Sequence, residues 1–184
     1  MVAALAAAAV FGVAEQAAAQ VLPFAVEVRG GYAIPTGDLA EGDGIEDGLG
    51  FGANLQLSIM PMIGVYAGWE RYSFGVEDLD DASIIDSGFR GGLQFNAPLA
   101  TFTGVSPFVF GGAIYNSTEM EIGDESAESD SSVGFEVGGG VGIQLAPMFT
   151  LTPALRYRTH SSEFEGSDDS VSYLSIDVGL KVGI

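Results

Sequence analysis

The chain has 184 residues, no cysteine, and 25 acidic against six basic residues, for a net charge of −19. That balance excludes nucleic-acid binding, which needs a positive footprint for the phosphates, and the length suits one domain. Hydrophobic residues make up 47 % of the chain, yet no internal stretch approaches the roughly 18–20 uninterrupted apolar residues of a membrane helix.

Residues 1–19, MVAALAAAAVFGVAEQAAA, have the apolar core and small-residue end of a secretory leader. Ala17-Ala18-Ala19 before Gln20 supplies an A-x-A type cleavage site, although no basic residue precedes the apolar core. The expected mature domain is 20–184.

Within it, apolar residues recur at period two, the signal of a strand with one buried face. Eight such runs are expected at 23–34, 48–60, 62–75, 83–96, 105–117, 132–145, 149–162 and 170–184. Pro61 and Pro147 mark two tight turns where no ladder donor is needed, and 97–104 forms a third connection. The other connections are acidic. Segments 38–47, 77–81, 119–130 and 163–169 hold five, four, six and four of the 25 acids. One end of the molecule therefore collects acidic connections and the other brief uncharged turns.

Faces follow from parity. In the second run Leu49, Phe51, Ala53, Leu55, Leu57 and Ile59 oppose Gly50, Gly52, Asn54, Gln56 and Ser58. In the eighth, Leu174, Ile176, Val178, Leu180 and Val182 oppose Ser175, Asp177, Gly179 and Lys181. In the fifth, where both faces carry apolar residues, Phe108, Phe110 and Ile114 are assigned outward.

Alternation does not say what covers the apolar face. A soluble barrel or sandwich turns it inward; a membrane barrel turns it to lipid. The charges distinguish the two. Arg29, Arg90, Arg156, Arg158 and Lys181 lie on polar faces in the middle of strands, as do Glu27, Glu70, Asp86, Glu136 and Asp177. This local balance, in so acidic a chain, is what a narrow interior demands, because charges enclosed there must pair. These ten residues form the expected lumen ion-pair network. Aromatics add two levels: Phe24, Phe95, Phe108 and Phe149 by the neutral turns, and Tyr32, Phe51, Trp69, Phe89, Phe135 and Tyr157 toward the acidic end. Two aromatic girdles mark the interfaces of a transmembrane barrel.

Arg156-Tyr157-Arg158 and the closing run from Tyr173 to Ile184 resemble the small outer-membrane β-barrel family of the OmpA-domain and OmpX type. The family usually ends in an aromatic residue, where this sequence has Ile184. The resemblance implies an all-β, eight-stranded, up-and-down antiparallel barrel in a bacterial outer membrane, with short periplasmic turns, long acidic extracellular loops and both termini periplasmic. It implies outer-membrane lipid and lipopolysaccharide as surroundings, the barrel-insertion machinery as a partner, and extracellular surface partners.

Candidate chemistry is sparse. His160 and Ser162, with Glu163 or Glu165, match the His-x-Ser spacing seen in lipid A deacylases of this general class. Parity, however, puts the pair on the lumen face, away from lipid. Asp80 with Asp81, and Asp124-Glu125 with Glu128 and Asp130, offer hard oxygens suited to weak Ca²⁺ or Mg²⁺ association. None has the ordered spacing of a dedicated metal loop, and no cofactor is expected. The reading that emerges is a non-enzymatic structural or surface-interaction barrel. Narrow transport of ions or small solutes stands second; a soluble lipocalin-like binder and a deacylase stand behind it.

Overall fold

A computed structural model describes residues 24–41, 44–76, 82–97, 104–122, 125–164 and 167–183. For 38, 41, 122, 125–128, 162–164 and 167–169 it describes the backbone alone. The leader-like residues 1–19, the acidic segment 77–81, Ile184 and most of 97–104 lie outside this set.

The strands are β1 (Phe24–Thr36), β2 (Ile45–Met60), β3 (Ile63–Val76), β4 (Ala82–Asn96) and β5 (Val105–Ile122). They continue as β6 (Glu125–Glu128), β7 (Ser132–Ala146), β8 (Phe149–Phe164) and β9 (Ser167–Gly183), and a single helical turn, α1 (Asp38–Glu41), follows β1. Each expected run is present. Several extend toward the acidic end, so that parts of segments 38–47, 119–130 and 163–169 are strand.

Every pairing is antiparallel. β1 through β5 pair in succession, β5 pairs with β7, β7 with β8 and β8 with β9. The β1–β9 ladder, from Ala25↔Gly183 to Thr36↔Ser172, closes the sheet. β6 pairs with β5 as a side hairpin. The result is a closed eight-stranded antiparallel barrel, so no ladder edge is left open. Turns at 61–62 and 147–148 sit at the end that also carries Phe24 and Gly183, here the turn end. The opposite, acidic end carries α1 and β6.

The wall faces obey the pleat. Leu49, Phe89 and Val133 are 70 %, 66 % and 71 % exposed, whereas Glu70, Asp86 and Arg158 are at most 1 % exposed. An apolar belt this extensive far exceeds what a soluble monomer shows to water. Apolar outside and charged inside, the barrel is built for lipid.

β5 departs from the expected facing. Phe108, Phe110 and Ile114 point into the barrel, at 8 %, 6 % and 2 % exposure, while Val109 and Tyr115 point out. Inward glycines on the neighbouring strand explain the choice. A methyl at Gly138 would collide with Phe110 Cζ, and one at Gly140 would lie 2.8 Å from Phe108 Cζ. The absent side chains of β7 are the space that the phenyl rings occupy. Phe108 therefore does not belong to the turn-end girdle.

The interior is not uniformly polar. Toward the acidic end Ala33, Phe74, Ile84 and Val171 close the lumen as an apolar cap, with Leu39 of α1 laid against them. Parity puts Ala33, Phe74, Ile84 and Val171 on inward faces; the place of Leu39 depends on α1 folding over the mouth.

A paired substitution tests this packing by urea unfolding in lipid vesicles. Gly138→Ala, whose new methyl would also collide with Leu155 O, is expected to cost about 1–3 kcal/mol. The outward Gly91→Ala meets nothing closer than Tyr66 O at 3.4 Å and should stay within about 0.5 kcal/mol of the parent.

Candidate functional site

The centre of the lumen is an ion cluster assembled by strands far apart in sequence. Glu70 of β3 places Oε2 at 2.6 Å from Arg158, 3.7 Å from Arg90 and 3.8 Å from both Arg29 and Arg156. One carboxylate oxygen thus faces four guanidinium groups. Glu136 of β7 takes three of them, with Arg90 at 2.6 Å and Arg156 and Arg158 at 3.5 Å. Asp177 of β9 lies 3.1 Å from Arg156 Nε.

Phenols complete the carboxylates. Tyr66 donates to Glu136 at 2.6 Å, Tyr72 to Asp177 at 2.6 Å and Tyr173 to Asp86 at 2.7 Å. Hydrogen bonds to a buried carboxylate help offset its desolvation. Three tyrosines serve three different acids here, while among the described residues Glu70 receives no phenol and its Oε1 is without a hydrogen-bond partner. The rings do a second job beneath the cations. Arg90 stands 4.6 Å over Tyr66, Arg156 4.6 Å over Phe110 and Arg158 4.8 Å over Tyr72.

Asp86 stands apart from the arginines. It accepts from Asn116 Nδ2 at 3.0 and 3.1 Å and faces His160 Nε2 at 3.1 Å. Glu27 and Lys181 also make no ion pair with the cluster. Glu27 accepts from Thr152 at 3.1 Å, and Lys181 donates to Gln56 at 3.3 Å. Of the ten residues singled out in the sequence, Arg29, Glu70, Arg90, Glu136, Arg156, Arg158 and Asp177 meet in one cluster, while Asp86, Glu27 and Lys181 occupy other levels.

Parity could have identified Tyr66 and Tyr72, which share the face of Glu70 on β3, and Tyr173, which shares that of Asp177 on β9. What parity could not show is which acid each phenol reaches across the barrel.

The outer wall carries the remaining girdle aromatics. Trp69 and Phe51 meet edge to face at 5.8 Å, and Phe135 lies 6.4 Å from Tyr157. Tyr32, Phe89, Phe95 and Phe149 are exposed, and Phe24 stands at the rim of the turn-end mouth.

A vestibule of about 510 Å³ opens at the turn end, and a void of about 20 Å³ lies deeper, below the arginines. The void has room for about one water. Among the described residues the lumen is therefore open at one mouth, filled by charge in the middle and capped by apolar side chains.

His160 is 4 % exposed and inside the lumen; the side chains of Ser162, Glu163 and Glu165 lie outside the described residues. Among the described residues no group of three or more His, Cys, Asp or Glu is arranged to hold a metal ion. Asp80, Asp81 and Asp124 are outside that set, as are the side chains of Glu125 and Glu128.

A closed antiparallel barrel with a lipid-like wall and an ion-paired interior defines a transmembrane β-barrel. The chain belongs to the outer membrane protein β-barrel domain family, whose pattern matches residues 3–182, and this places it among proteins of the bacterial outer membrane. No curated protein matches the sequence. Among solved structures it is similar to neisserial surface protein A, NspA, at 16 % identity and a TM-score of 0.72, covering 86 % of this chain and 96 % of that one. It is similar to OprG of Pseudomonas aeruginosa at 15 % identity and a TM-score of 0.56, covering 87 % and 95 %. Ail, the attachment invasion locus protein of Yersinia pestis, in complex with the heparin analogue sucrose octasulfate, matches at 16 % identity and a TM-score of 0.52, covering 88 % and 97 %. At these identities the likeness is one of fold.

The cluster makes an asymmetric prediction, read as urea-unfolding free energy in vesicles. Glu70→Gln leaves buried guanidinium groups short of countercharge and is expected to cost about 3–5 kcal/mol. Arg29→Gln removes one of Glu70's more distant partners and should cost no more than about 1–2 kcal/mol.

Proposed function

We propose that the protein is a non-enzymatic barrel with a structural or surface-interaction role in the cell envelope, its acidic end extracellular and both termini periplasmic. The observation that carries this is the filled lumen. Arg158 of β8 reaches across the barrel to Glu70 of β3 at the centre, and Phe74, Val171 and Leu39 lie across the path above them. A continuous aqueous route would have to separate that ion pair, leaving buried charges uncompensated. Narrow transport remains the second reading, favoured by the open turn-end vestibule alone.

The exposed residues at the acidic end include Glu46, Asp47 and Asp130. With the chain at −19 overall, that end suits a cationic partner, or an anionic one bridged by divalent cations, and repels bare polyanions. In this it differs from the sulfated ligand carried by the Ail structure.

Two measurements test the reading. In planar bilayers the purified protein should give no sustained single-channel current; steady stepwise conductance would favour transport. In a surface-binding assay at physiological ionic strength without divalent cations, it should not retain sucrose octasulfate, and saturable retention would contradict the charge argument.

A further inference from the structure

The turn-end vestibule has an unusual floor. Glu27 and Lys181 are direct partners in the β1–β9 ladder and both point inward, the arrangement from which an ion pair would ordinarily form. They diverge instead. Glu27 turns toward Thr152, at 3.1 Å, and lines the small inner void. Lys181 reaches Gln56 Oε1 at 3.3 Å and lines both the void and the vestibule. Among the described residues no carboxylate oxygen comes within 4.0 Å of its ammonium, whereas each lumen arginine has at least one.

Among the described residues nothing else lining the vestibule is charged. Gln56, Ser58, Asn96, Ser106 and Thr150 supply amide and hydroxyl groups, and Phe24, Phe108 and Met148 supply apolar surface. A half-buried ammonium on a polar floor, inside a cavity of about 510 Å³, has the size and the convergent polar groups of a small-molecule site.

We propose that this vestibule is a binding site for a small monoanionic solute, a carboxylate with an apolar body, and that its carboxylate pairs with Lys181 Nζ. The Gln56 amide NH₂ group and the Thr150 and Ser106 hydroxyls are the neutral donors available to the anion. The rings of Phe24 and Phe108 are available to the apolar body. The site ends at the arginine cluster, so a bound solute is held at the turn end and not passed through the barrel.

The test is a titration of the full ¹⁵N-labelled protein in lipid nanodiscs with benzoate, beside its neutral isostere benzamide. Benzoate should give saturable amide shifts at Lys181, Gln56 and Thr150, and benzamide should not. Lys181→Met, checked for folding by heat-dependent gel mobility, should weaken benzoate binding at least about tenfold. Lys181→Arg should keep the binding, and Glu27→Gln, which removes the nearest competing carboxylate, should strengthen it. Equal response to benzoate and benzamide, shifts that never saturate, or undiminished binding in Lys181→Met would overturn the proposal. Binding that appears only in Glu27→Gln would also overturn it, by showing that Glu27 already fills the place assigned to the solute.

Discussion

The controlling constraint is electrostatic neutrality in a space too narrow for bulk water. An eight-stranded barrel has an interior that side chains just fill. A wall made apolar for lipid leaves the alternate face of each strand pointing into that space. Residues placed there must pair with one another, because bulk solvent cannot screen them. Glu70 shows how tightly this binds the fold: its one oxygen is shared by arginines from β1, β4 and β8. This acid ties together strands that never touch in the ladder, and Glu136 holds three of the same arginines. A slip of one residue in any of these strands would exchange its lumen and lipid faces.

Size complementarity is the second half of the same constraint. Inward glycines and inward aromatics alternate around the barrel, so that Phe110 lies over Gly138 and Phe108 over Gly140. Tyr66 occupies the corresponding space beside Gly92 and Gly112, where an added methyl would meet its hydroxyl at 2.6 Å. The same rings carry the arginine faces. Packing and charge thus share one set of side chains in the middle of the lumen, whereas among the described residues Lys181 at the turn end has only the Gln56 amide oxygen as a hydrogen-bond partner.

Much of this was legible in the sequence. The eight runs, their facing in β2 and β9, and the closed antiparallel order follow from period-two alternation and turn placement. The facing of β5 was also within reach, though it was assigned the wrong way. Asn116 has the same parity as Phe108 and Phe110, and an outward Phe108 would have carried an amide to the lipid wall. The structure instead gives Asn116 to Asp86. A strand with apolar residues on both faces offers little alternation to follow.

What sequence could not supply was distance across the barrel. Parity puts Glu27, Lys181 and Asp86 inside with the arginines, but it does not say at which level each ends or which partner it reaches. Those depend on strand stagger. The place of Leu39 in the apolar cap was illegible for a related reason: it needs α1 to carry that residue over the mouth, a tertiary contact without a local pattern.

The most direct test of the inside-out arrangement uses the chain's single tryptophan, Trp69. In vesicles containing brominated lipid, Trp69 fluorescence should be strongly quenched. In a Trp69→Phe background carrying Phe108→Trp, the relocated indole should be protected from the same lipid. Quenching of the indole at 108 with protection at 69 would contradict the account.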